Sequence, residues 1–310
     1  MEFKHVSVLL EKSIEFLNVR DNGVYVDGTL GGGGHSYRLL SSNSTCRLVG
    51  IDQDKEAVAA ASERLSGFGG RVTVVNDNFC RIKDILNNLR IGEIDGALLD
   101  LGVSSYQLDN ASRGFSYMHD APLDMRMNTG NGKTAFDVVN SYSAERLCSV
   151  FYEYGEEKWS KRIAEFIVHK REEKPIETTA ELVDIIKAAI PKGARTEGGH
   201  PAKRVFQAVR IEVNNELGIL EQAIRDFTGV LKPGGRLAVI TFHSLEDRIV
   251  KKTFASLSQG CTCPKSFPVC VCGNVPKARI ITKKPVLPDN EETEANSRSK
   301  SAKLRVIEKI

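Results

Sequence analysis

The sequence predicts an α/β fold in which helices cover a mainly parallel sheet. A short apolar run ends at Asp27 and is followed by four glycines at 31–34, after which a helical pattern begins at Ser36. Strand and helix patterns then alternate, and two further strands end in the acids Asp52 and Asp100. Because the carboxyl ends of parallel strands meet at one edge of a sheet, we expect the three acids to lie close together.

The chain has 310 residues, of which 41% are hydrophobic and 27% charged, enough for one large domain or one domain with an insertion. No apolar run approaches the roughly 18 residues needed to cross a membrane, and the N-terminal residues lack the apolar segment of a signal peptide. We therefore expect a cytoplasmic protein with no membrane partner. A net charge of +3 permits nucleic-acid binding if the basic residues are clustered.

The glycine loop favours a nucleotide-like cofactor. Glycines adopt backbone angles that other residues avoid, and they present N–H groups without a side chain in the way. The alternative is a flexible turn, since the G-x-G-x-x-G phosphate fingerprint is not cleanly met.

The next two strands add candidate cofactor residues. Strand 47–52 ends in Asp52, and a carboxylate at that position can accept two hydrogen bonds from the ribose diol. Its neighbour Asp54 is expected to cap helix 55–65. Strand 71–76 is followed by Phe79, whose ring could flank a purine or pack into the core.

Strand signals then stop. After strand 94–102 the pattern is polar and later helical, which predicts a helical insertion at 103–201 between core segments 1–102 and 202–310. A helix over 202–230 is expected to return to the core and to end at the turn 231–235, which launches a fifth strand. The last strands are predicted at 278–282 and 302–308.

The glycine loop, the acid after the second strand and the Leu-Lys-Pro-Gly-Gly turn resemble a class I S-adenosylmethionine-dependent methyltransferase with a Rossmann-like sheet. A narrower set resembles the RsmH (MraW) family along nearly the whole chain. Its motifs stand at 5–10 (HVSVLL), 99–105 (LDLGVSS), 113–117 (RGFSY), 122–127 (PLDMRM), 206–211 (FQAVRI) and 241–248 (TFHSLEDR).

The resemblance implies methylation of the exocyclic N4 of a cytosine in the decoding region of 16S ribosomal RNA, with the small ribosomal subunit as partner. A homodimer is possible, and the sequence leaves the oligomeric state open. It implies a set of cofactor-binding residues: Gly33, Gly34, His35, Asp52, Phe79, Asp100 and Gln107. Asp100 is also expected to accept hydrogen bonds from the cytosine amino group, and His243 is the second candidate catalytic residue.

Candidate substrate-binding residues are basic, aromatic or acidic side chains in or beside the insertion and after the fifth strand: Arg113, Phe115, Tyr117, Asp124, Arg126, Lys203, Arg204, Arg210 and Glu246. The alternatives are a solvated helix face for the cations and a surface salt bridge for Glu246. The aromatic ring that stacks on the base is Tyr106, Phe115, Tyr117 or Phe242. The insertion is therefore predicted to be needed for RNA and dispensable for the cofactor.

Four of the seven cysteines stand together at Cys261, Cys263, Cys270 and Cys272. They could form a four-thiolate zinc site, but their spacing departs from the usual C-x-x-C pairs. The expectation is no metal and free thiols on a mobile loop.

Two other functions share parts of this pattern. A nicotinamide oxidoreductase uses the same strand, glycine loop and acid, and a ribosome-assembly factor could hold cofactor or RNA without chemistry. Transfer of a labelled methyl group to small subunits distinguishes all three.

Overall fold

The computed structural model describes residues 7–130, 132–195, 199–264 and 267–310. His5 and Val6, which begin the first family motif, lie outside them. The described strands are β1 Val24–Asp27, β2 Arg47–Asp52, β3 Val72–Asn76, β4 Ile94–Asp100, β5 Leu231–Thr241, β6 Ala278–Ile280 and β7 Lys303–Lys309.

The helices of the described residues divide between two compact units. Those of residues 1–102 and 217–310 are α1 Leu10–Leu17, α2 Gly34–Ser42, α3 Lys55–Leu65, α4 Ile82–Asn88, α11 Glu216–Val230, α12 Ser244–Leu257 and α13 Asn290–Ala295. Those of residues 103–216 are α5 Ser105–Asp109, α6 Ala135–Ser141, α7 Ala144–Gly155, α8 Ser160–Glu173, α9 Thr179–Ala189 and α10 Lys203–Asn214. None of the described helices is long and apolar enough to span a bilayer.

The first unit is built on one sheet. Its described strands have the order β3-β2-β1-β4-β5-β7-β6, and β1 to β5 pair in parallel whereas β7 is antiparallel to both its neighbours. The predicted α/β class with a Rossmann-like sheet is confirmed. Because β1, β2 and β4 are adjacent and parallel, their carboxyl ends place Asp27, Asp52 and Asp100 at one edge.

Both faces of the sheet are covered, so its strands are apolar on both sides. Val24 and Val26 of β1 pack in one buried cluster with Phe227 of α11, whereas Tyr25 between them belongs to the cluster on the other face with Leu17 of α1. This explains why the strands read as nearly continuous apolar runs rather than alternating patterns.

Two expected boundaries are wrong. The helix predicted over 202–230 breaks at Asn215, which has φ 50°, and α10 packs Phe206 and Val209 into the core of the second unit beside Phe151. The inserted unit therefore ends at Glu216, not at residue 201. The predicted turn at 231–235 lies within β5, where the pairing with β4 shifts register.

The contact between α7 and α10 leaves no room at Gly155. A Cβ there would lie 2.7 Å from the carbonyl oxygen of Arg204. We predict that Gly155→Ala lowers the free energy of unfolding by about 2 kcal/mol through overpacking. Gly193→Ala is the matched control, because nothing lies within 4 Å of its Cβ position. Equal unfolding transitions in urea for both variants would contradict this packing.

Candidate active site

The glycine loop joins β1 to α2 and follows a path that needs glycine. Gly31 (φ 50°) and Gly33 (φ 72°) are left-handed. At Gly34 a Cβ would lie 2.0 Å from the Ser7 hydroxyl oxygen, whereas nothing lies within 4 Å of a Cβ at Gly32. Gly33 and Gly34 thus serve the loop's own packing, and the backbone at Gly32 is the part open to a ligand.

Asp27 organises the start of this loop. Its side chain is 3% exposed, and it accepts hydrogen bonds from the Ser36 hydroxyl (2.6 Å) and the Thr29 backbone N–H (3.2 Å). Burial outweighs these bonds and raises the pKa of Asp27 to about 6. Asp27 therefore fixes the first turn of the loop against α2.

Asp52 holds the loop from the neighbouring strand. One carboxylate oxygen accepts from the Gly31 backbone N–H at 2.8 Å and the other from the Asp54 N–H at 2.9 Å. Burial raises the pKa of Asp52 against these bonds. Each carboxylate oxygen can accept a second hydrogen bond, so the side chain can still receive a diol. Asp54 caps α3 through the Glu56 N–H, as predicted.

Asp100 is the least satisfied of the three acids. The Thr29 hydroxyl oxygen accepts from its backbone N–H at 2.6 Å, but Oδ1 is buried and accepts no hydrogen bond from the described residues. Burial, with the nearby carboxylates of Asp27 and Glu246, raises the pKa of Asp100 well above its usual range. A buried acceptor without a donor is costly, and a ligand that donates to it would remove that cost.

His35 lies beside Asp100. Its Nε2 is 3.0 Å from the carbonyl oxygen of Val8, and because a carbonyl only accepts, Nε2 carries a proton. Nδ1 then faces Asp100 Oδ2 at 3.7 Å. Any proton shared by this pair lies between His35 Nδ1 and the carboxyl group of Asp100.

The turn after β5 is held by a capping box. His243 caps α12 by accepting from the Glu246 N–H, and Glu246 in return accepts from the His243 N–H at 3.3 Å. The same Glu246 oxygen also accepts from the N–H of Phe242 at 2.8 Å. Glu246 is only 2% exposed, so the surface salt bridge considered for it is wrong. His243 Nε2 also lies 3.1 Å from Glu246 Oε1. His243 and Glu246 thus hold this turn in place, and the catalytic role expected of His243 and the substrate-binding role expected of Glu246 stay predictions.

Two aromatic rings border the same edge of the sheet. Phe79 is half-buried, and its Cβ would lie 3.2 Å from a Cβ at Gly28. Phe242 is half-buried too, and its ring would lie 3.6 Å from a Cβ at Gly102, two residues after Asp100. Phe242 is therefore the stacking candidate that the first unit places near Asp100.

In the second unit Gln107 completes the capping box of α5. Its side-chain oxygen accepts from the Ser104 N–H at 3.1 Å, and its own N–H donates to the Ser104 hydroxyl at 3.2 Å. Gln107 is 4% exposed. This local role explains the residue, and its assignment to the cofactor stays a prediction.

Arg113 and Phe115 are buried, both 6% exposed. The Arg113 guanidinium donates to the carbonyl oxygens of Arg126 (2.9 Å) and Met127 (3.2 Å) and lies over the Phe115 ring. These contacts hold the loop together from within, and the expected RNA contacts of Arg113 and Phe115 stay predictions.

Four further candidates are engaged inside the unit. Arg126 forms a two-pronged ion pair with Asp124 at 2.9 and 2.8 Å, and its hydrogen bonds outweigh the effect of burial and lower the pKa of Asp124. Arg210 pairs in the same way with Glu216 at 2.8 and 3.0 Å. Tyr117 stacks on His200 with ring centroids 4.6 Å apart.

Lys203 and Arg204 remain exposed at the start of α10. Arg204 lines a cavity with Lys158 and Trp159, and these two also line a neighbouring cavity with Lys161 and Arg162. We call these six residues the basic groove. Sequence reasoning missed three of its members, Lys158, Lys161 and Arg162, although three cations beside an aromatic ring within the five residues 158–162 were the available signal.

A family model described as the MraW methylase family matches residues 2–310. The chain belongs to this family. The resemblance that the six motifs indicated is thereby confirmed, and membership covers both the sheet and the inserted unit.

Two similar proteins match this chain over its full length. Ribosomal RNA small subunit methyltransferase H of Clostridium botulinum (strain Loch Maree / Type A3) is 60% identical and the protein of the same name from Ruminiclostridium cellulolyticum is 56% identical, each covering 100% of both chains. Among solved structures, an rRNA methylase from Streptococcus thermophilus is 13% identical over 99% of each chain with a TM-score of 0.44.

The raised pKa of Asp27 makes the stability of this family member pH-dependent. The pKa of the Asp27 carboxyl group is near 3.8 in the unfolded chain and about 6 in the folded protein. The folded state therefore binds the proton more tightly, and it loses stability as the pH rises between those values. We predict that wild type loses about 3 kcal/mol more than Asp27→Asn from pH 4 to pH 7.

Urea unfolding at both pH values measures this difference. Asp84→Asn, which removes an exposed acid of α4, is the control and should keep the wild-type loss. If the free energies of unfolding of wild type and Asp27→Asn changed equally with pH, the raised pKa of buried Asp27 would be contradicted.

Proposed function

We propose that the chain transfers a methyl group from S-adenosylmethionine to the exocyclic N4 of a cytosine of 16S ribosomal RNA in the small subunit, in the cytoplasm and as a monomer or homodimer. Family membership and the names of its close relatives support the reaction class. The observation that carries the site is the buried, unpaired Asp100 oxygen beside the glycine loop.

The residues present fit this cofactor. Asp52 retains acceptor capacity for the ribose hydroxyls, the backbone at Gly32 is open, and Phe79 can flank the adenine. Asp100 offers a buried, unpaired carboxyl oxygen, and a cation bound beside it would favour its ionised form. S-adenosylmethionine supplies a methyl group on a positively charged sulfur, which an in-line nucleophile takes while the electron pair of the broken C–S bond stays on sulfur.

Asp100 prepares the acceptor. The lone pair of a cytosine amino nitrogen is delocalised into the ring, and hydrogen bonds from its two protons to a carboxylate help it pyramidalise and attack. Ionised Asp100 accepts such bonds and can hold the proton that N4 loses after the new N–C bond forms. His35 beside it can take up or share that proton.

The target base has to leave its stack before N4 can be attacked in line. Phe242 is placed near Asp100 to stack on the extruded ring, and the capping box of His243 and Glu246 fixes the backbone on both sides of it. His243 and Glu246 therefore act as positioning residues.

The basic groove of the second unit is proposed to bind RNA phosphates. Its cations are exposed and flank Trp159, which is the arrangement that backbone and base contacts need. Arg126 and Arg210, by contrast, already pair with carboxylates.

Asp100→Asn tests the acceptor role. Asparagine presents one acceptor and cannot take a proton, so we predict that kcat at saturating S-adenosylmethionine falls by about 100-fold or more. Wild-type kcat should rise with pH as Asp100 ionises, and the variant should lack that rise. Asp84→Asn is the control. A variant that regains wild-type kcat when cofactor is saturating would show that Asp100 only binds the cofactor.

Reversing charge in the basic groove tests the RNA surface. We predict that Lys203→Glu combined with Arg204→Glu weakens small-subunit binding by about 10-fold and lowers its salt dependence, because phosphate contacts are lost. Affinity for S-adenosylmethionine should stay within about 3-fold. Lys170→Glu combined with Lys174→Glu, at two exposed lysines of the same unit, is the charge-matched control. An equal loss of small-subunit affinity in both variants would show that the effect comes from net charge and not from the basic groove.

The reaction itself is tested with labelled S-adenosylmethionine and small subunits that lack the modification. Label that maps to N4 of one cytosine of 16S RNA supports the proposal. Label elsewhere identifies another nucleic-acid methyltransferase, binding of cofactor or subunit without transfer identifies an assembly factor, and reduced nicotinamide binding identifies an oxidoreductase.

A further inference from the structure

Four cysteine sulfurs converge on one loop between α12 and β6. The Sγ atoms of Cys261, Cys263, Cys270 and Cys272 all lie within 4.8 Å of one another. Cys270 lies 3.3 Å from Cys261, 4.0 Å from Cys263 and 3.5 Å from Cys272, and Cys272 lies 3.7 Å from Cys261. The sequence spacing did not predict this convergence, which brings two pairs separated by six residues to one point.

The distances fit a tetrahedral metal ion. Zn–S bonds of about 2.3 Å in a tetrahedron separate the sulfurs by about 3.8 Å, close to the spacing found here. In two disulfides the sulfurs of each pair would lie about 2 Å apart, and nothing would hold one pair next to the other. Mutual proximity of all four therefore points to a shared ligand.

Backbone N–H groups surround the cluster in the way that thiolates require. Thr262 N lies 3.4 Å from the sulfur of Cys272, Val271 N 3.3 Å from that of Cys263, and Asn274 N 3.5 Å from that of Cys272. Donors around metal-bound sulfurs offset their negative charge and fix their orientation.

The loop has no apolar core that would hold it in this shape. None of the described residues between 259 and 277 is buried, and Phe267, Val269 and Val271 are at least half exposed. The loop's ends are tied by the Lys277 N–H to the Leu257 carbonyl (2.8 Å) and by the Asn274 amide to the Gly260 carbonyl (2.8 Å). Ordering the part between them costs conformational entropy that metal binding can offset.

We propose that Cys261, Cys263, Cys270 and Cys272 bind one Zn²⁺ ion as four thiolates. All four coordination positions are filled by protein, so the site is structural: it cross-links the loop rather than activating water. Zinc binding replaces the expectation of free thiols, and it depends in no way on the proposed methyl transfer.

Metal analysis of the full-length protein, purified without chelator, tests the site. We predict about one zinc per chain by plasma mass spectrometry. Cys261→Ser combined with Cys270→Ser should retain less than a tenth of that zinc. Cys148→Ser, which changes a cysteine outside the cluster, should keep all of it. Circular dichroism and the unfolding transition of each variant show whether the rest of the chain is folded.

Wild type gives a second readout that needs no variant. Chelator-treated protein should regain one Zn²⁺ from buffered zinc, and Co²⁺ in its place should give the visible absorption of tetrahedral thiolate coordination. Wild type that is purified without chelator, contains no metal and has seven thiols reactive with Ellman's reagent in denaturant would overturn the proposal. So would disulfides within the cluster, or iron in place of zinc.

Discussion

The burial of three carboxylates at neighbouring strand ends constrains the first unit more than any other feature. Asp27, Asp52 and Asp100 stand at the carboxyl ends of adjacent parallel strands, where Asp27 is buried, the other two are partly buried, and the charge of Asp27 repels that of Asp100. Such groups need donors, and the chain after β1 supplies them: the Thr29 N–H and the Ser36 hydroxyl serve Asp27, and the Gly31 N–H serves Asp52. The glycine loop is thus folded around the acids.

The three carboxylates receive different numbers of hydrogen-bond donors, and this difference defines the candidate active site. Asp27 and Asp52 are each held by two donors, whereas Asp100 keeps a buried oxygen without one. A site with an unsatisfied carboxylate favours ligands that bring positive charge or hydrogen-bond donors. In the proposed reaction a methyl sulfonium would bring the charge and an exocyclic amino group would bring the donors, so each of the two ligands would lower the cost of leaving Asp100 unpaired.

Sequence reasoning located the strands and their terminal acids because buried parallel strands and the residues that end them leave local patterns. It failed where the outcome depends on partners distant in sequence. The helical pattern continues past Asn215, but this asparagine adopts the left-handed conformation that ends α10, and Phe206 packs α10 into the second unit. The charge of Arg113 suggested phosphate, but its partners are carbonyls at 126 and 127. The spacing of the four cysteines could not reveal the distances between their sulfurs.

The most direct test of this account is the pKa of Asp100, followed by carbon NMR of carboxyl-labelled aspartate and assigned with Asp100→Asn. The account predicts a pKa well above the usual range in the free protein. It further predicts that S-adenosylmethionine, with its charged sulfur, lowers this pKa more than S-adenosylhomocysteine, whose sulfur is neutral. An Asp100 that titrates at the ordinary value in the free protein, or one that the two ligands shift equally, would contradict it.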